Sequence, residues 1–267
     1  ARLKMPDPYD LLSRRAPPLV SRDKVFGIRE RMLFDGGVDH PLDEDSVRKA
    51  IAGVRQVGGD GIVVSLLHAY RNPTHERRVA EIIRAEAPDL YVTCASEVWP
   101  VIREYERTVT AVVAGYVQPR VAHYLTAFQD ALKSVGVPAE PMLTKSNGGV
   151  MTAELGKTEC AQMLLSGTAS GVIGAASIAR GTKSTAAMSL DIGGTSADVA
   201  IIRAGVPQYG VGEMIGDFPI HIPTVSVTSI GEGGGSIAWV DPQGVLKVGP
   251  ESAGSTPGPA CYGLGGE

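Results

Sequence analysis

The feature that most narrows the fold is a glycine turn held between two apolar runs. Ala186-Ala187-Met188-Ser189-Leu190 leads into Asp191-Ile192-Gly193-Gly194-Thr195-Ser196-Ala197-Asp198, and Val199-Ala200-Ile201-Ile202 follows. Runs of this length bounded by turn residues read as strands, so the glycines sit in the turn of a strand–turn–strand hairpin. With no Cβ to block approach, a Gly-Gly turn presents successive backbone N–H groups to an anion. The hydroxyls of Thr195 and Ser196 can donate to phosphate oxygens. Asp191, at the strand end, is placed to hold a magnesium ion through its waters. An ordinary hairpin turn is the competing reading of the bare Asp-x-Gly-Gly-Thr.

Other phosphate loops do not fit. Walker loops and dinucleotide fingerprints place a helix after the glycines, whereas a strand follows here. Gly181-Thr182-Lys183-Ser184 lacks the earlier glycine that a P-loop requires.

The rest of the chain supplies an α/β setting. Val25-Phe26-Gly27-Ile28 and Arg31-Met32-Leu33-Phe34 read as short strands, and Asp43 caps a helix through Val47, Ile51 and Val54. The continuous apolar run from Gly61 to Leu67 suits a strand covered on both faces. Pro73 suits the first position of the next helix. Leu90 to Cys94 reads as a strand, residues 101–133 as a long helix with Pro119 inside it, and Met142-Leu143-Thr144 as a further strand. Two helices are expected between Ala153 and Arg180. Strand alternating with helix predicts a sheet with covering helices. The expected organisation is a connecting segment over 1–22, an α/β domain over 23–183, and a Gly-rich strand-hairpin part over 184–267. Eleven of the 33 glycines fall between Gly231 and Gly266, which directs the search for backbone chemistry to that end.

Composition excludes several functions. With 25 Lys and Arg against 29 Asp and Glu, the net charge of −4 argues against nucleic acid as the main partner. Hydrophobic residues at 43% with charged residues at 20% fit a globular chain rather than a disordered one. No apolar run of about eighteen residues occurs, so no membrane helix is expected. The opening Ala1-Arg2-Leu3-Lys4-Met5-Pro6 has no apolar stretch of the signal-peptide kind. Cys94, Cys160 and Cys261 are scattered and odd in number, which favours neither a disulfide framework nor a cysteine zinc site and makes a reducing cytoplasm the expected compartment.

The hairpin from Asp191 to Ala200 resembles the internal phosphate loop of the hydantoinase A family, which is related to 5-oxoprolinase and to one acetone carboxylase subunit. Other family-like stretches occur in the expected order. They include residues 66–76 (Leu66 through His68, Asn72-Pro73 and His75-Glu76), residues 103–108 and Ser146-Asn147-Gly148-Gly149. Residues 165–171, the run Gly231-Glu232-Gly233-Gly234-Gly235-Ser236, and residues 249–263 around Pro257-Gly258-Pro259-Ala260-Cys261-Tyr262-Gly263 complete the set.

The resemblance implies an actin-like ATPase (ribonuclease H-like) core, in which two α/β domains close over ATP and two glycine hairpins grip its phosphates. It implies ATP-driven opening of a cyclic amide such as a hydantoin, N-methylhydantoin or 5-oxoproline through phosphorylation of the amide oxygen, with magnesium and a hydantoinase B-type partner. Asp191 and Asp198 are then the candidate catalytic carboxylates, and Asp191 the metal ligand. Gly193, Gly194, Thr195, Ser196, Gly233, Gly234 and Gly235 are candidates for the nucleotide, and His68, Arg107 and Asn147 for the substrate. Family members are longer and begin with a first such hairpin, so the chain is expected to be an internal fragment, inactive alone.

Each assignment has a plainer competitor. His68 lies at a strand end, where α/β proteins bind ligands, but His68 and His75 can make only local hydrogen bonds, with Glu76 favouring the helix dipole. Arg103, Glu104, Glu106 and Arg107 carry the spacing of exposed ion pairs. Ser146 to Gly149 either shape a pocket or turn the chain. Gly233 to Gly235 either approach a nucleotide or let two elements pack closely. Cys261 reads as a small structural residue. At the level of function, the competitors are a carboxylase subunit that activates a ketone or bicarbonate, and a non-catalytic assembly module.

Overall fold

The computed structural model describes residues 9–14 and 17–266, which form two compact units. The opening residues 1–6 and part of the expected connecting segment (residues 1–8, 15 and 16) lie outside the described residues. The first unit comprises the described residues up to Leu143, Met151–Met163 and Val211–Ile222; the second comprises Thr144–Val150, Leu164–Gly210 and the described residues from Pro223 onward.

The first unit opens with the antiparallel pair β1 (Arg31–Met32) and β2 (Val38–His40). Helix α1 (Glu44–Gln56) follows, then β3 (Gly61–Val64), α2 (Thr74–Glu86), β4 (Tyr91–Cys94), the single turn α3 (Ala95–Val98) and the long α4 (Glu104–Ser134). Asp43 caps α1 as expected, its Oδ1 accepting from the N–H groups of Asp45 at 3.0 Å and Ser46 at 3.2 Å. The second helix starts one residue later than predicted. Pro73 is the capping residue, and Asn72 Oδ1 accepts from Thr74 N–H at 3.1 Å.

Strands β3 and β4 pair in parallel, with Gly61 beside Tyr91 and Val64 beside Cys94. Val47, Ile51 and Val54 of α1 and Val79, Ile82 and Ile83 of α2 form one core with Val64 and Cys94. On α4, a Cβ at Gly115 would meet Val63 Cγ2 and Thr93 Oγ1 at 3.1 Å, so glycine permits the helix to lie close. The expected strand at residues 25–28 does not form. Phe26 and Ile28 instead pack their side chains on the α1–α2 core, and the Phe26 ring fills the space that a side chain at Gly53 would need. A hydrophobic residue needs burial, and that need is met here without a ladder.

After β5 (Met142–Thr144), β6 (Val150–Thr152) and the single turn α5 (Ala153–Gly156), helix α6 (Ser166–Gly181) begins the main part of the second unit. Strands β7 (Ala186–Ile192) and β8 (Ala197–Arg203) form the hairpin read from the sequence. β9 (Val206–Pro207) also pairs with β8. β10 (Tyr209–Gly210) precedes the β11 (Glu213–Ile215) and β12 (Phe218–Ile220) pair, which belongs to the first unit. β13 (Thr224–Val225) pairs with β10, and β14 (Thr228–Ile230) extends the sheet to the order β14-β8-β7. β15 (Ser236–Val240) and β16 (Leu246–Ser252) form a last antiparallel pair.

One face of the β7–β8 sheet is covered. Ala187, Ala200 and Ile202 pack on Ala169, Val172, Ala176 and Ala179 of α6. The alternate residues Met188, Leu190, Ile192 and Ile201 are exposed. Strand periodicity alone separates these two sets.

Among the described residues no helix is long and apolar enough to cross a membrane. All three cysteines are free. Burial pushes the Cys94 thiol up to about 12 and the Cys160 thiol to about 11, whereas Cys261 is exposed. The native protein is therefore expected to take up a single iodoacetamide at pH 8, on Cys261, and three after unfolding. Mass mapping of the modified peptides checks this. Both buried thiols hold their protons longer folded than unfolded, so their contribution to stability is lost as pH rises above the unfolded thiol range, near 9.

Candidate functional site

The hairpin turn is built from backbone. Gly193 N–H donates to Ser196 O at 2.8 Å and closes the turn. The carbonyls of Gly193 and Gly194 accept from Gly234 N–H at 2.8 Å and Gly235 N–H at 2.7 Å. Among the described residues, the N–H groups of Gly194, Thr195 and Ser196 have no protein partner. Gly193, Gly194 and Thr195 are exposed. The turn therefore turns its carbonyls toward the 233–235 segment and leaves three successive N–H donors free.

Gly233, Gly234 and Gly235 form the layer behind this turn. Their own N–H groups are committed, Gly233 to Ser236 Oγ at 2.8 Å and the other two to the hairpin. A Cβ at Gly233 would lie 2.6 Å from the backbone N and C of Thr195 and 2.7 Å from Gly193 O. A Cβ at Gly235 would lie 2.8 Å from Gly194 O. A third layer follows, since Ala253 N–H donates to Gly235 O at 2.7 Å. Close backbone stacking thus accounts for much of the glycine near the C-terminal end. Gly233→Ala is expected to displace the turn and lower the melting temperature by several degrees. Gly171→Ala, on α6 where nothing lies within 4 Å, should instead stabilise by about 0.5–1 kcal/mol through helix propensity. Thermal melts of the two variants check the contrast.

Two carboxylates stand at the strand end. Asp191 on β7 lies directly opposite Asp198 on β8, which is paired in turn with Ser229 on β14. Cross-strand partners share a face with their Cβ atoms about 5 Å apart, and like charges so placed repel. Asp198 is held by Ser229 Oγ–H on Oδ1 and by Thr168 Oγ–H on Oδ2 at 3.2 Å. Thr168 lies in the first turn of α6, whose positive end favours that carboxylate. Asp191 is exposed, with no partner among the described residues. Neither Thr168 nor Ser229 was singled out from sequence as an Asp198 partner, although Thr168 lies in one of the family-like stretches.

A dication fits this donor set. One free and one fixed carboxylate side by side, beside free N–H groups, suit a magnesium ion that keeps most of its waters. A denser site is absent, since no group of three or more His, Cys, Asp or Glu that could hold a metal occurs among the described residues.

Of the substrate candidates, Asn147 belongs to the second unit, like the hairpin, while His68 and Arg107 belong to the first. Asn147 is exposed and its Oδ1 accepts from Gly149 N–H at 2.9 Å, within the turn closed by Lys145 N–H to Gly149 O at 2.8 Å.

Arg107 departs from the exposed ion-pair pattern. It is fully buried, with its guanidinium donating to Val101 O and Leu66 O at 2.8 Å and lying 5.9 Å from the Tyr70 ring centroid. Only Arg103 and Glu106 retain an ion pair, at 3.9 Å. Glu76 does more than favour a helix dipole. It is fully buried, and its two oxygens accept from Leu66 N–H at 2.8 Å and Ser96 N–H at 2.9 Å. His75 departs from the expected local bonding, since its Nδ1 pairs at 2.8 Å with Glu30, 45 residues away in the chain. His68 follows β3 in a left-handed conformation (φ 57°), its Nδ1 buried and without a partner.

Comparison with known proteins shows what the chain is similar to. The profile of the family described as Hydantoinase/oxoprolinase matches residues 107–267, and that of the Hydantoinase/oxoprolinase N-terminal region matches residues 1–87. The chain is 39% identical over 256 residues to the acetophenone carboxylase gamma subunit of Aromatoleum aromaticum, covering 93% of this chain and 35% of that protein. It is 34% identical to the caprolactamase subunit alpha of Pseudomonas jessenii, covering 97% of this chain and 37% of that one. The crystal structure of that organism's ATP-dependent caprolactamase superposes with a TM-score of 0.79 at 32% identity, over 97% of this chain and 37% of the other. The nucleotide-free structure of acetone carboxylase, from work on ATP-dependent acetone carboxylation, superposes at 0.77 with 33% identity, over 91% and 34%. These neighbours have an α/β actin-like ATPase-type fold, and the chain shares it. The chain spans about a third of the length of these relatives.

Proposed function

The chain belongs to the hydantoinase/oxoprolinase family, and from that premise we propose that it forms part of an ATP-dependent enzyme that opens a cyclic amide ring. The observation that carries the reading is the β7–β8 turn, with three successive free N–H groups beside two opposed carboxylates. Gly193, Gly194, Thr195 and Ser196 cradle phosphate oxygens. Gly233, Gly234 and Gly235 serve the nucleotide by holding that turn rather than by donating to it. Asp191 and Asp198 would hold magnesium, which when bound neutralises charge on the phosphates.

The γ-phosphoryl group passes from ATP to the amide oxygen: the bond to the β-phosphate oxygen breaks, the new P–O bond forms and ADP leaves. The N–H groups of the turn stabilise charge on the moving group. A first water attacks the ring carbon, the C–N bond breaks with the nitrogen taking a proton, and a second water hydrolyses the resulting acyl phosphate to carboxylate and phosphate. Ring, ATP and two waters become the ring-opened acid, ADP and phosphate. His68, Arg107 and Asn147 are the proposed substrate-side residues, and a hydantoinase B-type subunit is the proposed partner, in keeping with relatives that are themselves named as subunits.

One observation favours a second reading, since the acetophenone and acetone carboxylases resemble the chain as well as the caprolactamase does. There the same hairpin would phosphorylate a ketone enolate or bicarbonate. Phosphate release by the full-length protein separates the two. Stimulation by hydantoin or 5-oxoproline supports the cyclic amide, and stimulation by a ketone with bicarbonate supports the carboxylase. No nucleotide turnover with either, together with tight binding of a partner subunit, would support an assembly module instead.

A further inference from the structure

The stretch over residues 257–263 stands out in the sequence, and the hairpin chemistry gives it no part. It belongs to the second unit, as the hairpin does. Pro257 and Pro259 restrict the backbone on either side of Gly258, and Tyr262 N–H donates to Pro259 O at 2.9 Å. The short 3₁₀ turn Ala260–Tyr262 then ends on Gly263 in the left-handed conformation (φ 68°). Gly258 is buried, and a Cβ there would stand 2.5 Å from Tyr262 Cδ2 and 3.0 Å from Cε2. The phenol ring therefore rests against bare glycine backbone, in space that any other residue at 258 would take from it.

Held in this way, the ring carries its hydroxyl to the β7–β8 turn. The Tyr262 oxygen lies 3.9 Å from the point where a Cβ of Gly194 would stand. Among the described residues, no other heavy atom beyond Gly194 and its two chain neighbours comes within 4 Å of that point. The hydroxyl has no protein partner among the described residues, and Tyr262 is 48% exposed, so both remain open to a ligand. Adding one C–C bond puts the hydroxyl within about 5.4 Å of the Gly194 Cα. An oxygen that accepts at ~2.9 Å from an N–H nitrogen and ~2.7 Å from a hydroxyl spans donors up to about 5.6 Å apart. The phenol and the free Gly194 amide can therefore meet on one phosphoryl oxygen or on adjacent oxygens of one phosphoryl group.

We propose that the Tyr262 hydroxyl is a further donor of the phosphate site, aimed at the oxygens that the N–H groups of Gly194, Thr195 and Ser196 hold. This rests on the reading of the hairpin as a phosphate loop and adds to it a side chain from the far end of the chain. The choice of a phenol suits the neighbours. It is a neutral donor, so it adds a hydrogen bond to the phosphate without repelling a cation held by Asp191 and Asp198, as a lysine there would. Packing on Gly258 fixes the ring before the ligand arrives, so little side-chain freedom is lost on binding.

Calorimetric titration of the full-length protein with magnesium–ATP and with magnesium tripolyphosphate tests this. Tyr262→Phe keeps the ring on Gly258 and removes only the hydroxyl. It should weaken both ligands by the same factor, about tenfold, at an unchanged melting temperature. In protein labelled with ¹³C at tyrosine Cζ, the signal missing from Tyr262→Phe should shift saturably with tripolyphosphate, which has no base or sugar. Three results would overturn the proposal and leave the phosphate loop standing: wild-type affinity in Tyr262→Phe, weakened ATP with unchanged tripolyphosphate, or a still Tyr262 signal while the wild type binds tripolyphosphate. Binding of neither ligand by the wild type would overturn the phosphate loop itself, and the role of Tyr262 with it.

Discussion

Replacing Asp191 with alanine in the full-length protein is expected to lower magnesium-dependent nucleotide turnover by ~10²-fold or more while leaving thermal stability unchanged or slightly raised. The two parts of this expectation have one cause. Asp191 is exposed and has no partner among the described residues, so its removal breaks no hydrogen bond. It also relieves repulsion from Asp198 directly across the ladder, worth about 0.2–1 kcal/mol for an opposed pair. A residue that costs stability in the free protein but is essential for turnover is kept for its ligand. Asp198→Ala should differ, because Asp198 holds Thr168 and Ser229 and ties α6 and β14 to the hairpin. Turnover assays and melts of the two variants side by side check the contrast. Wild-type turnover in Asp191→Ala would remove the carboxylate from the site.

The largest stability effect is expected at Glu76. Glu76→Ala leaves the N–H groups of Leu66 and Ser96 without their acceptor. Leaving a buried donor unsatisfied costs ~1–3 kcal/mol for each, a large share of the stability of an ordinary domain. Glu76→Gln should cost less, since an amide oxygen still accepts one of the two bonds while its NH₂ faces the other donor. Urea unfolding of both variants, followed by a cycle with Arg107→Met, measures the coupling through Leu66. A loss below 1 kcal/mol in Glu76→Ala would show that Glu76 does not hold the strand ends.

What could be read from the residues was mostly local. The Asp43 cap, the apolar spacing of α1 and the Gly-Gly hairpin depend on neighbours within a few positions, and each formed where expected. Where the reading shifted, a tertiary demand overrode a local one. Phe26 and Ile28 have strand-like residues but pack as side chains on a helical core. Arg107 carries the i, i+3 and i+4 spacing of a solvated charge, yet it points inward because Leu66 O and Val101 O need a donor there. Periodicity cannot distinguish those cases. The partners of Asp198 were hidden for a different reason. Thr168 and Ser229 lie 30 and 31 residues away on either side, and only the strand order β14-β8-β7 with α6 on one face brings them together. The glycines at 233–235 read as either approaching a nucleotide or letting two elements pack, and the N–H groups of Gly234 and Gly235 are directed at the hairpin while that of Gly233 bonds Ser236 Oγ.

The most direct test of the phosphate-binding hairpin is the response of individual backbone amides to magnesium–ATP. In ¹⁵N-labelled protein, the N–H signals of Gly194, Thr195 and Ser196 should shift saturably on titration. Those of Gly234 and Gly235, already bonded to the hairpin carbonyls, should move much less, and Asp191→Ala should abolish the response. Saturable nucleotide binding with unmoved signals from residues 194–196 would contradict the account and leave the glycine hairpin as a structural turn.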